Sequence, residues 1–406
     1  MVNVKIQIDP LKFISRNEDV LSLQIDIEIE HIDKVKTYSL EKSISVIFFK
    51  EKPSVPPGFY GGHWYYGDTH CHSTYTWDYY FGNGIYTIPE LKSLAMAAGL
   101  DWLAVTDHSY NLDESKYDVT KNETTALSDE DLSLFYGEEL SARERGSGNY
   151  QNNTCHFSGV LNETFVSSVT DIFRIASAPD SQRAIDLLKN AGGLAIINHP
   201  GWGTKPFEAW NFAQKTYRFT HGETGIEILN GSWKKKNLGA VTRWVDQRLL
   251  KGEKSFPFAG SDTESDNHLG ECYTVVYSPS NSRHDIKKSL SRGMHYVTTG
   301  PALSIWAKPK GSRAWNIMGS IILLGSAQVI NIYVSYNWSA SSMTIELTKG
   351  AAGQTRETIL DKRTVNKGSG HYVVKASLQP GNYVRASAIS ETNASHRVYT
   401  TPIWFK

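Results

Sequence analysis

The feature that most constrains this fold is a repeated succession of helix, glycine break and short apolar strand in the middle of the chain. Residues 88–99 show a helical pattern that begins with proline and ends at glycine, and the apolar run 102–106 follows directly. The same unit recurs at 181–197 and, with a break at Gly252, at 241–262. Strands that alternate with helices are typical of a parallel sheet or an α/β barrel. We therefore predict an α/β fold here.

β-Structure is predicted on both sides of this region. Before residue 50 three stretches alternate between apolar and polar residues, and the Pro- and Gly-rich segment 52–58 follows them as a linker. Beyond Pro301 short strands are separated by Gly, Ser and Asn turns, which suggests a β-sandwich. The predicted domains are an N-terminal β module at residues 1–60, an α/β barrel at 61–301 and a C-terminal β-sandwich at 302–406. The N-terminal strands are alternatively part of a module that is completed elsewhere in the chain.

Composition limits the classes of partner. The chain has 406 residues, with 40% hydrophobic and 21% charged residues, as is ordinary for a globular protein. Its 42 basic and 42 acidic residues give no net charge, so we expect no nucleic-acid partner that relies on phosphate neutralisation. No apolar run is long enough to cross a bilayer, and no signal-peptide pattern is seen, so no membrane partner is expected. The oligomeric state is left open.

The expected compartment depends on cysteines and glycosylation motifs. Cys71, Cys155 and Cys272 are too few, and odd in number, for a disulfide framework, so a cytoplasmic location is the default expectation. Six Asn-x-Ser/Thr motifs keep export open as the alternative; they lie at Asn122, Asn152, Asn162, Asn230, Asn337 and Asn393.

Side chains that can bind metal collect around the predicted strands. His70 and His72 are two residues apart, which on a strand places both imidazoles on one face and turns Cys71 to the other. We predict that later strands carry such groups at their carboxyl ends, which is the functional face of α/β barrels. These groups are Asp107 and His108, Glu138 and Glu139, His156, His199, and Asp262. Carboxylates that bridge cations and imidazoles that cap them indicate a site for several metals.

Six short motifs, taken together and in chain order, resemble the PHP family of polymerase-and-histidinol-phosphatase-type metal-dependent phosphoesterases. They are GDTHCHS at 67–73, VTDH at 105–108, GEE at 137–139, CHF at 155–157, NHP at 198–200 and GSD at 260–262. Residues 269–276 and 290–301 resemble the carbaryl-hydrolase-like branch, which also has a C-terminal β-sandwich. The resemblance implies a distorted seven-stranded, TIM-like α/β barrel with two or three divalent ions of Zn, Mn or Fe.

The resemblance also implies how the ligands divide among the metals. The family usually ends its site with Ser-Asp-x-His, whereas this chain has Glu264 in place of that histidine. Either Glu264 or, across a loop, His268 would therefore complete the third position. The implied sets are His70, His72, Glu139 and Asp262 for the first metal; Glu139, His156 and His199 for the second; and Asp78 and His108 with Glu264 or His268 for the third.

Hydrolysis is the expected reaction. A water that bridges two cations would be acidified and serve as the nucleophile, and Asp107 and His268 are the candidate acids for the leaving group. Arg143 and Arg145 would clamp a phosphate or, alternatively, pair with Glu144 on an exposed loop. The expected substrate is a small-molecule phosphate ester, and a carboxylic ester or carbamate is the alternative.

A non-catalytic function is the second hypothesis. The flanking β modules, the aromatic content of 12% and the glycosylation motifs would suit a carbohydrate- or surface-binding protein on a degenerate barrel. The presence of all the ligands for the first two metals argues against a decayed site. The other seven histidines, His295 among them, are expected to be surface or packing residues.

Overall fold

The computed structural model gives a strand-rich α/β fold with few helices. It describes residues 2–17, 20–31, 42–47, 50–59, 61–78, 82–143, 154–167, 180–200, 220–232, 234 and 237–406. The first three strands, β1 (Val2–Asn17), β2 (Val20–His31) and β3 (Lys42–Ile47), form a separate antiparallel sheet in that order.

The middle of the chain supplies the helices and the strands of a large sheet. In chain order its elements are β4 (His63–Cys71), β5 (Trp77–Asp78), β6 (Gly82–Asn83), α1 (Ile88–Ala97), β7 (Trp102–Val105), α2 (Glu114–Leu127), β8 (Ser133–Arg143), β9 (Thr154–Val160), α3 (Ser181–Asn190), β10 (Leu194–Ile197), β11 (Gly225–Asn230), α4 (Asn237–Gln247), β12 (Phe256–Gly260), β13 (Tyr273–Ser278), α5 (Arg283–Leu290) and β14 (His295–Thr298). A short 3-10 helix, Leu249–Lys251, follows α4.

Seven of these strands curl into a half-barrel in the order β12-β11-β10-β9-β8-β7-β4. Strand β9 is antiparallel to both of its neighbours, while β4, β7 and β8 are mutually parallel, as are β10, β11 and β12. The helix-clad, TIM-like barrel predicted from the sequence is not confirmed. A TIM-like barrel needs a helix between successive parallel strands, whereas β8 and β9 are an antiparallel pair without one in the described residues.

The carboxyl ends of β4 and β12 nevertheless meet. Asp262 donates its backbone N–H to the carbonyl of His70 at 2.8 Å, and His72 donates to that of Thr263 at 2.9 Å. The buried Asp68 carboxylate accepts the backbone N–H groups of His70 at 2.9 Å and Ser261 at 3.0 Å. These bonds bring the residues after the first and last strands of the half-barrel to one place.

The helices begin where the sequence supplies capping groups. Thr87 and Glu90 form a reciprocal capping box at α1, and the Asp180 carboxylate accepts from the backbone of Arg183 at the start of α3. On the apolar face of α1, Leu91 and Leu94 are buried. None of the helices in the described part of the chain has both the length and the apolar character that a membrane span needs.

The last hundred residues form two sheet layers. Their strands are β15 (Ala302–Pro309), β16 (Asn316–Ile317), β17 (Ile321–Ile322), β18 (Gln328–Trp338), β19 (Met343–Ala351), β20 (Thr358–Val365), β21 (Gly368–Leu378), β22 (Asn382–Ser390), β23 (Arg397–Thr400) and β24 (Ile403–Phe405). One layer has the order β16-β15-β18-β21, and its Ile305 shares an apolar core with Ile345 and Val384 of the other. The other layer continues the large sheet as β13-β14-β23-β22-β19-β20.

The pairing of β14 with β23 bears on the predicted domains. Tyr296 lies opposite Thr400, so one hydrogen-bonded sheet includes residues on both sides of the predicted boundary at 301/302. The linker also contacts both regions, because Trp64 donates to the carbonyl of Pro53 at 2.9 Å and Ser54 lies 2.8 Å from the Ser335 hydroxyl. The division into three domains therefore stays a prediction.

His295, at the start of β14, is a packing residue. It is fully buried beside the ring of Phe258, and its Nε2 donates to the carbonyl of Pro257 at 2.7 Å. Burial lowers the pKa of this imidazole from 6.5 to about 4. Between these pH values the unfolded chain binds a proton that the folded protein does not, so stability falls as the pH falls through this window.

We predict that His295→Gln reduces the acid sensitivity of folding. The wild-type protein should lose about 2 kcal/mol more of its unfolding free energy than the variant does between pH 7.5 and pH 5. Urea unfolding followed by circular dichroism at both pH values measures the difference. The exposed His371→Gln is the control, and equal pH dependence in wild type and His295→Gln would contradict the prediction.

Candidate metal centre

A buried cluster of histidines and carboxylates lies where the half-barrel ends meet. Among the described residues, four overlapping groups place their ligand atoms within 4.8 Å of one another. They draw on β4, β8 and β9 and on the segments that follow β4, β7, β10 and β12. The groups are His70, His72 and Glu139; His70, His199 and Asp262; His72, His108 and Glu264; and His108, Glu139 and His156.

The Glu139 carboxylate is the centre of this cluster. Its Oε1 lies 3.4 Å from His70 Nε2, 3.1 Å from His156 Nδ1 and 3.2 Å from His199 Nε2. Its Oε2 lies 2.9 Å from His108 Nδ1. Because the two oxygens face different imidazoles and the side chain is buried, this carboxylate has the arrangement of a bridging ligand.

Strand geometry separates Glu139 from its neighbour Glu138. Successive residues of a strand point to opposite faces, and Glu138 accepts instead from the Asn162 side chain at 2.6 Å and from the backbone of Val166 at 2.8 Å. Burial raises the pKa of the Glu138 carboxyl to about 8. The same alternation turns Cys71 away from the cluster, where its thiol contacts the carbonyl of Ala104.

Hydrogen bonds fix which nitrogen of His70 and His72 faces the cluster. His70 Nδ1 is 3.2 Å from the Glu227 carboxylate, which accepts, so Nδ1 carries the proton. The Thr76 hydroxyl donates to Asp107 at 2.8 Å, and it therefore accepts from His72 Nδ1 at 3.1 Å. When each imidazole is deprotonated, as a metal ligand must be, its Nε2 lone pair is directed toward the cluster.

The positions of these nitrogens fit a shared cation. His70 Nε2 and His72 Nε2 are 3.1 Å apart, and two ligands bound at about 2.0–2.1 Å to one metal lie about 2.8–3.4 Å apart. Nδ1 of His108 and Nδ1 of His156 are buried beside Glu139, but neither forms a hydrogen bond. Buried nitrogens that converge without hydrogen bonds are expected of metal ligands.

Backbone strain accompanies two of the ligand positions. His199 has φ of 25° and Asp262 has φ of 55°, in the left-handed region that residues other than glycine seldom adopt. The Asp262 backbone is held there by its bond to the His70 carbonyl, and that of His199 by donation to Glu227 at 2.6 Å. Such strain persists where the surrounding structure enforces it, and it concentrates at functional sites.

The electrostatics of the cluster favour cations. Burial disfavours the charged form of Glu139, but the surrounding imidazoles of His156, His70 and His108 outweigh it and hold the carboxyl pKa well below its usual range. Burial also opposes charge on His108, yet Glu139 and Glu264 raise the imidazole pKa to about 10. The carboxylates therefore attract positive charge strongly, and protons compete with metal ions for the same nitrogens.

The structure brings together the residues predicted to bind the first two metals, but two of them lie at other places in their strands than predicted. His156 was predicted at the carboxyl end of a strand, but it lies near the amino end of β9. Because β9 is antiparallel to β8, with His156 opposite Ser141, its amino end reaches the same rim. Glu139 likewise lies within β8, not at its end.

The alternatives for the third metal are placed differently. Glu264 lies 3.5 Å from His108 Nε2 and 3.8 Å from His72 Nε2, so it belongs to the cluster. His268 is 3.3 Å from Glu271 and is in none of the four groups. The side chain of Asp78 lies outside the described residues.

Asp107, a candidate acid, is hydrogen-bonded beside the cluster. Both oxygens of Asp107 are turned to the loop after His72, where they accept from the Ser73 hydroxyl at 2.7 Å and from Thr76. Asp107 thus positions His72 through Thr76, and its role as an acid, like that of His268, stays a prediction. The side chains of Arg143 and Arg145 lie outside the described residues.

Sequence reasoning missed the residues that hold the ligands. Glu227, on β11, is 1% exposed and contacts both His70 and the His199 backbone. Asn198 donates to Glu139 at 2.8 Å, and Asn230 donates to Glu227 at 3.0 Å. A single acid within the apolar run 225–229 was the signal that could have revealed Glu227.

We predict that Glu227→Gln weakens metal binding about 10- to 100-fold, because the loss of the charge that orients His70 Nδ1 lowers the basicity of its other nitrogen. Competition with a fluorescent chelator measures the affinity for Zn or Mn. Glu346→Gln, which removes one carboxylate from a surface pair with Lys362, is the control. Wild-type affinity in a folded Glu227→Gln protein would contradict the role of Glu227.

Substitution of Thr76 tests the second orienting contact. Thr76→Val keeps the shape of the side chain but leaves His72 Nδ1 and the Asp107 carboxylate without the hydroxyl, so metal affinity should fall about 10-fold or more. Thr76→Ser keeps the hydroxyl and should retain most of the affinity. Equal affinities for Val and Ser in the same competition assay would exclude the hydroxyl as the orienting group.

Comparisons with known proteins found no match for this chain: it matches no protein-family model and no curated protein.

Proposed function

We propose that this chain is a metal-dependent hydrolase of the PHP kind, acting as a phosphoesterase. The observation that carries the proposal is the buried Glu139 carboxylate, whose two oxygens face histidines from different strands. A shared carboxylate between two sets of imidazoles is how proteins hold neighbouring cations. A structural site for one metal would not need this bridging arrangement.

The ligand sets of the proposal follow the observed groups. Two positions would share Glu139, and a third would lie where His108 approaches Glu264. The residues that would hold the metals are His70, His72, Glu139 and Asp262 at the first position; Glu139, His156 and His199 at the second; and His72 or His108 with Glu264 at the third.

The chemistry divides between the metals and the protein. Divalent cations bound here would acidify water and neutralise the charge that develops on the ester oxygens. The protein orients the ligands: Glu227 keeps the proton on His70 Nδ1, and Thr76 keeps it on His72 Nδ1. With the Nδ1 proton held in this way, Nε2 is the nitrogen that each imidazole would offer to a metal once it is deprotonated.

Exposure indicates the side from which a substrate would enter. The side chains of His156 and Glu264 are 15% and 18% exposed, whereas those of His70, His72 and Glu139 are at most 1% exposed. The cluster is therefore closed toward the sheet and open beside His156 and Glu264. A substrate anion that approaches this face would meet several cations at once, which favours the charged oxygens of a phosphate ester.

Hydrolysis of aryl esters or carbamates is the second candidate. It is favoured by aromatic side chains close to the ligands. The Tyr110 ring stacks on that of His108 with a centroid distance of 4.7 Å, and Trp77, next to Thr76, is 56% exposed. An exposed indole and a half-buried phenol suit the planar leaving group of an aryl substrate.

Metal content and hydrolysis should change together. We expect at least two equivalents of Mn, Fe or Zn per chain by inductively coupled plasma mass spectrometry, in protein purified without chelator or affinity metal. Asp262→Ala should lose metal and at least about 100-fold of the rate on 4-nitrophenyl phosphate, with the fold unchanged by circular dichroism.

Two comparisons decide among the alternatives. Glu346→Gln should keep the metal and the rate, and 4-nitrophenyl acetate, assayed in parallel, distinguishes carboxylic ester from phosphate ester hydrolysis. A metal-dependent rate that is faster on the acetate than on the phosphate would favour hydrolysis of aryl esters or carbamates over phosphoesterase activity. A chain that stays metal-free after incubation with Mn or Zn would overturn the hydrolase and favour the non-catalytic binding protein.

A further inference from the structure

A basic cavity lies at the opposite end of the sheet from the metal cluster. Its volume is ≈ 460 Å³, and it is formed by the residues just before β10, β11 and β12 together with α5. The cluster residues His199 and Asp262, by contrast, lie after the carboxyl ends of β10 and β12. Strands of this length span about 13–17 Å, so the two sites are separated by about that distance. They have no residue in common.

The cavity has a concentration of positive charge that the chain as a whole lacks. Its lining includes Lys189, Lys254, Lys287 and Lys288, with His284 at α5. The chain has equal numbers of basic and acidic residues, 42 of each. Four lysine side chains that line one cavity are therefore a local excess of basic residues, which favours a positive potential in it.

The acid in the lining does not neutralise this excess. Glu223 accepts from Arg248 Nε at 2.7 Å, and both side chains are almost fully buried. The charge of Glu163, which is not part of the cavity lining, attracts that of Lys287, but the Glu163 carboxylate is itself 3.1 Å from the Lys121 ammonium. Glu223 and Glu163 thus each lie beside a cation that is not part of the cavity lining.

The lysines of the cavity are held without carboxylates. Lys189 donates to the carbonyl of Gly222 at 2.6 Å, and Lys287 donates to that of Leu161 at 2.8 Å. The Lys254 ammonium lies over the rings of Phe256 and Trp404, at 5.1 and 5.5 Å. In the part of the chain that the structure describes, none of the four lysines has an ion-pair partner.

Desolvation adds to the demand for a counter-charge. Burial lowers the pKa of Lys287, and burial with the nearby charge of Lys406 lowers that of Lys254. Cations that are partly removed from water, as those of Lys254 and Lys287 are, are stabilised by an anion beside them. Protein sites for such anions commonly combine several cationic side chains in one concave surface.

We propose that this cavity binds a small organic polyanion, a molecule with two or more phosphate groups or groups of equal charge. Its volume lies within the range of about 300–1,000 Å³ that small-molecule pockets have. A concave surface with walls from Gly193, Leu194 and Ser291 suits a compact ligand better than a flat membrane or an extended nucleic acid. The site is independent of the proposed hydrolase reaction.

The test is calorimetric titration of the full-length chain with naphthalene-1,3,6-trisulfonate. This trianion is not a phosphoesterase substrate, and sulfonates are poor ligands for Zn and Mn, so it reports on the cavity and not on the cluster. One molecule should bind per chain. The double variant Lys189→Gln, Lys288→Gln removes two exposed cations and should weaken binding at least about 10-fold.

Two controls locate the binding. Lys310→Gln with Lys375→Gln, two exposed lysines of the C-terminal region, should keep the affinity within about twofold. Asp262→Asn, in the metal cluster, should also keep it. No binding at millimolar trisulfonate, equal affinity in the Lys189→Gln, Lys288→Gln protein, or loss of binding in Asp262→Asn would each overturn the proposal. Binding to phosphatidylserine vesicles without any response to trisulfonate would also overturn it, in favour of a membrane surface.

Discussion

The burial of one ionised carboxylate governs the architecture around the cluster. An isolated carboxylate moved from water into a protein interior costs several kcal/mol even after relaxation. Glu139 can remain charged there because imidazoles from separate strands surround it. Several strands must therefore bring the histidines to within a few ångströms of it. Glu227 and Thr76 hold His70 and His72 there, and Asn198 donates to the carboxylate itself. The sheet topology is what makes this convergence achievable.

Much of the cluster could be predicted because its signals are local. The spacing of His70 and His72 determines a shared face on any strand, and Glu139 is separated from Glu138 by the same alternation. Strand direction is not local. Whether His156 stands at the beginning or the end of its strand depends on the antiparallel pairing of β9 with β8, and hydrogen-bond partners that are distant in sequence decide that pairing.

The rest of the site depends on contacts between residues that are far apart in the sequence. Glu227 touches His70 across 157 positions, and no spacing rule relates two such residues. The choice between Glu264 and His268 depends on the path of a loop, which turns Glu264 to His108 and His268 to Glu271. The fold has the same limit: individual strands were recognisable from alternation, but the continuity of the sheet through β14 and β23 was not.

That continuity has a consequence for synthesis. Residues 295–298 are hydrogen-bonded on one side to β13 and on the other to residues 397–400, about a hundred positions later. While the chain is being made, the half-barrel can assemble, but the outer edge of β14 has no partner until those later residues leave the ribosome. An unpaired edge is a template for intermolecular association. During that interval the edge of β14 is open to pairing with other chains.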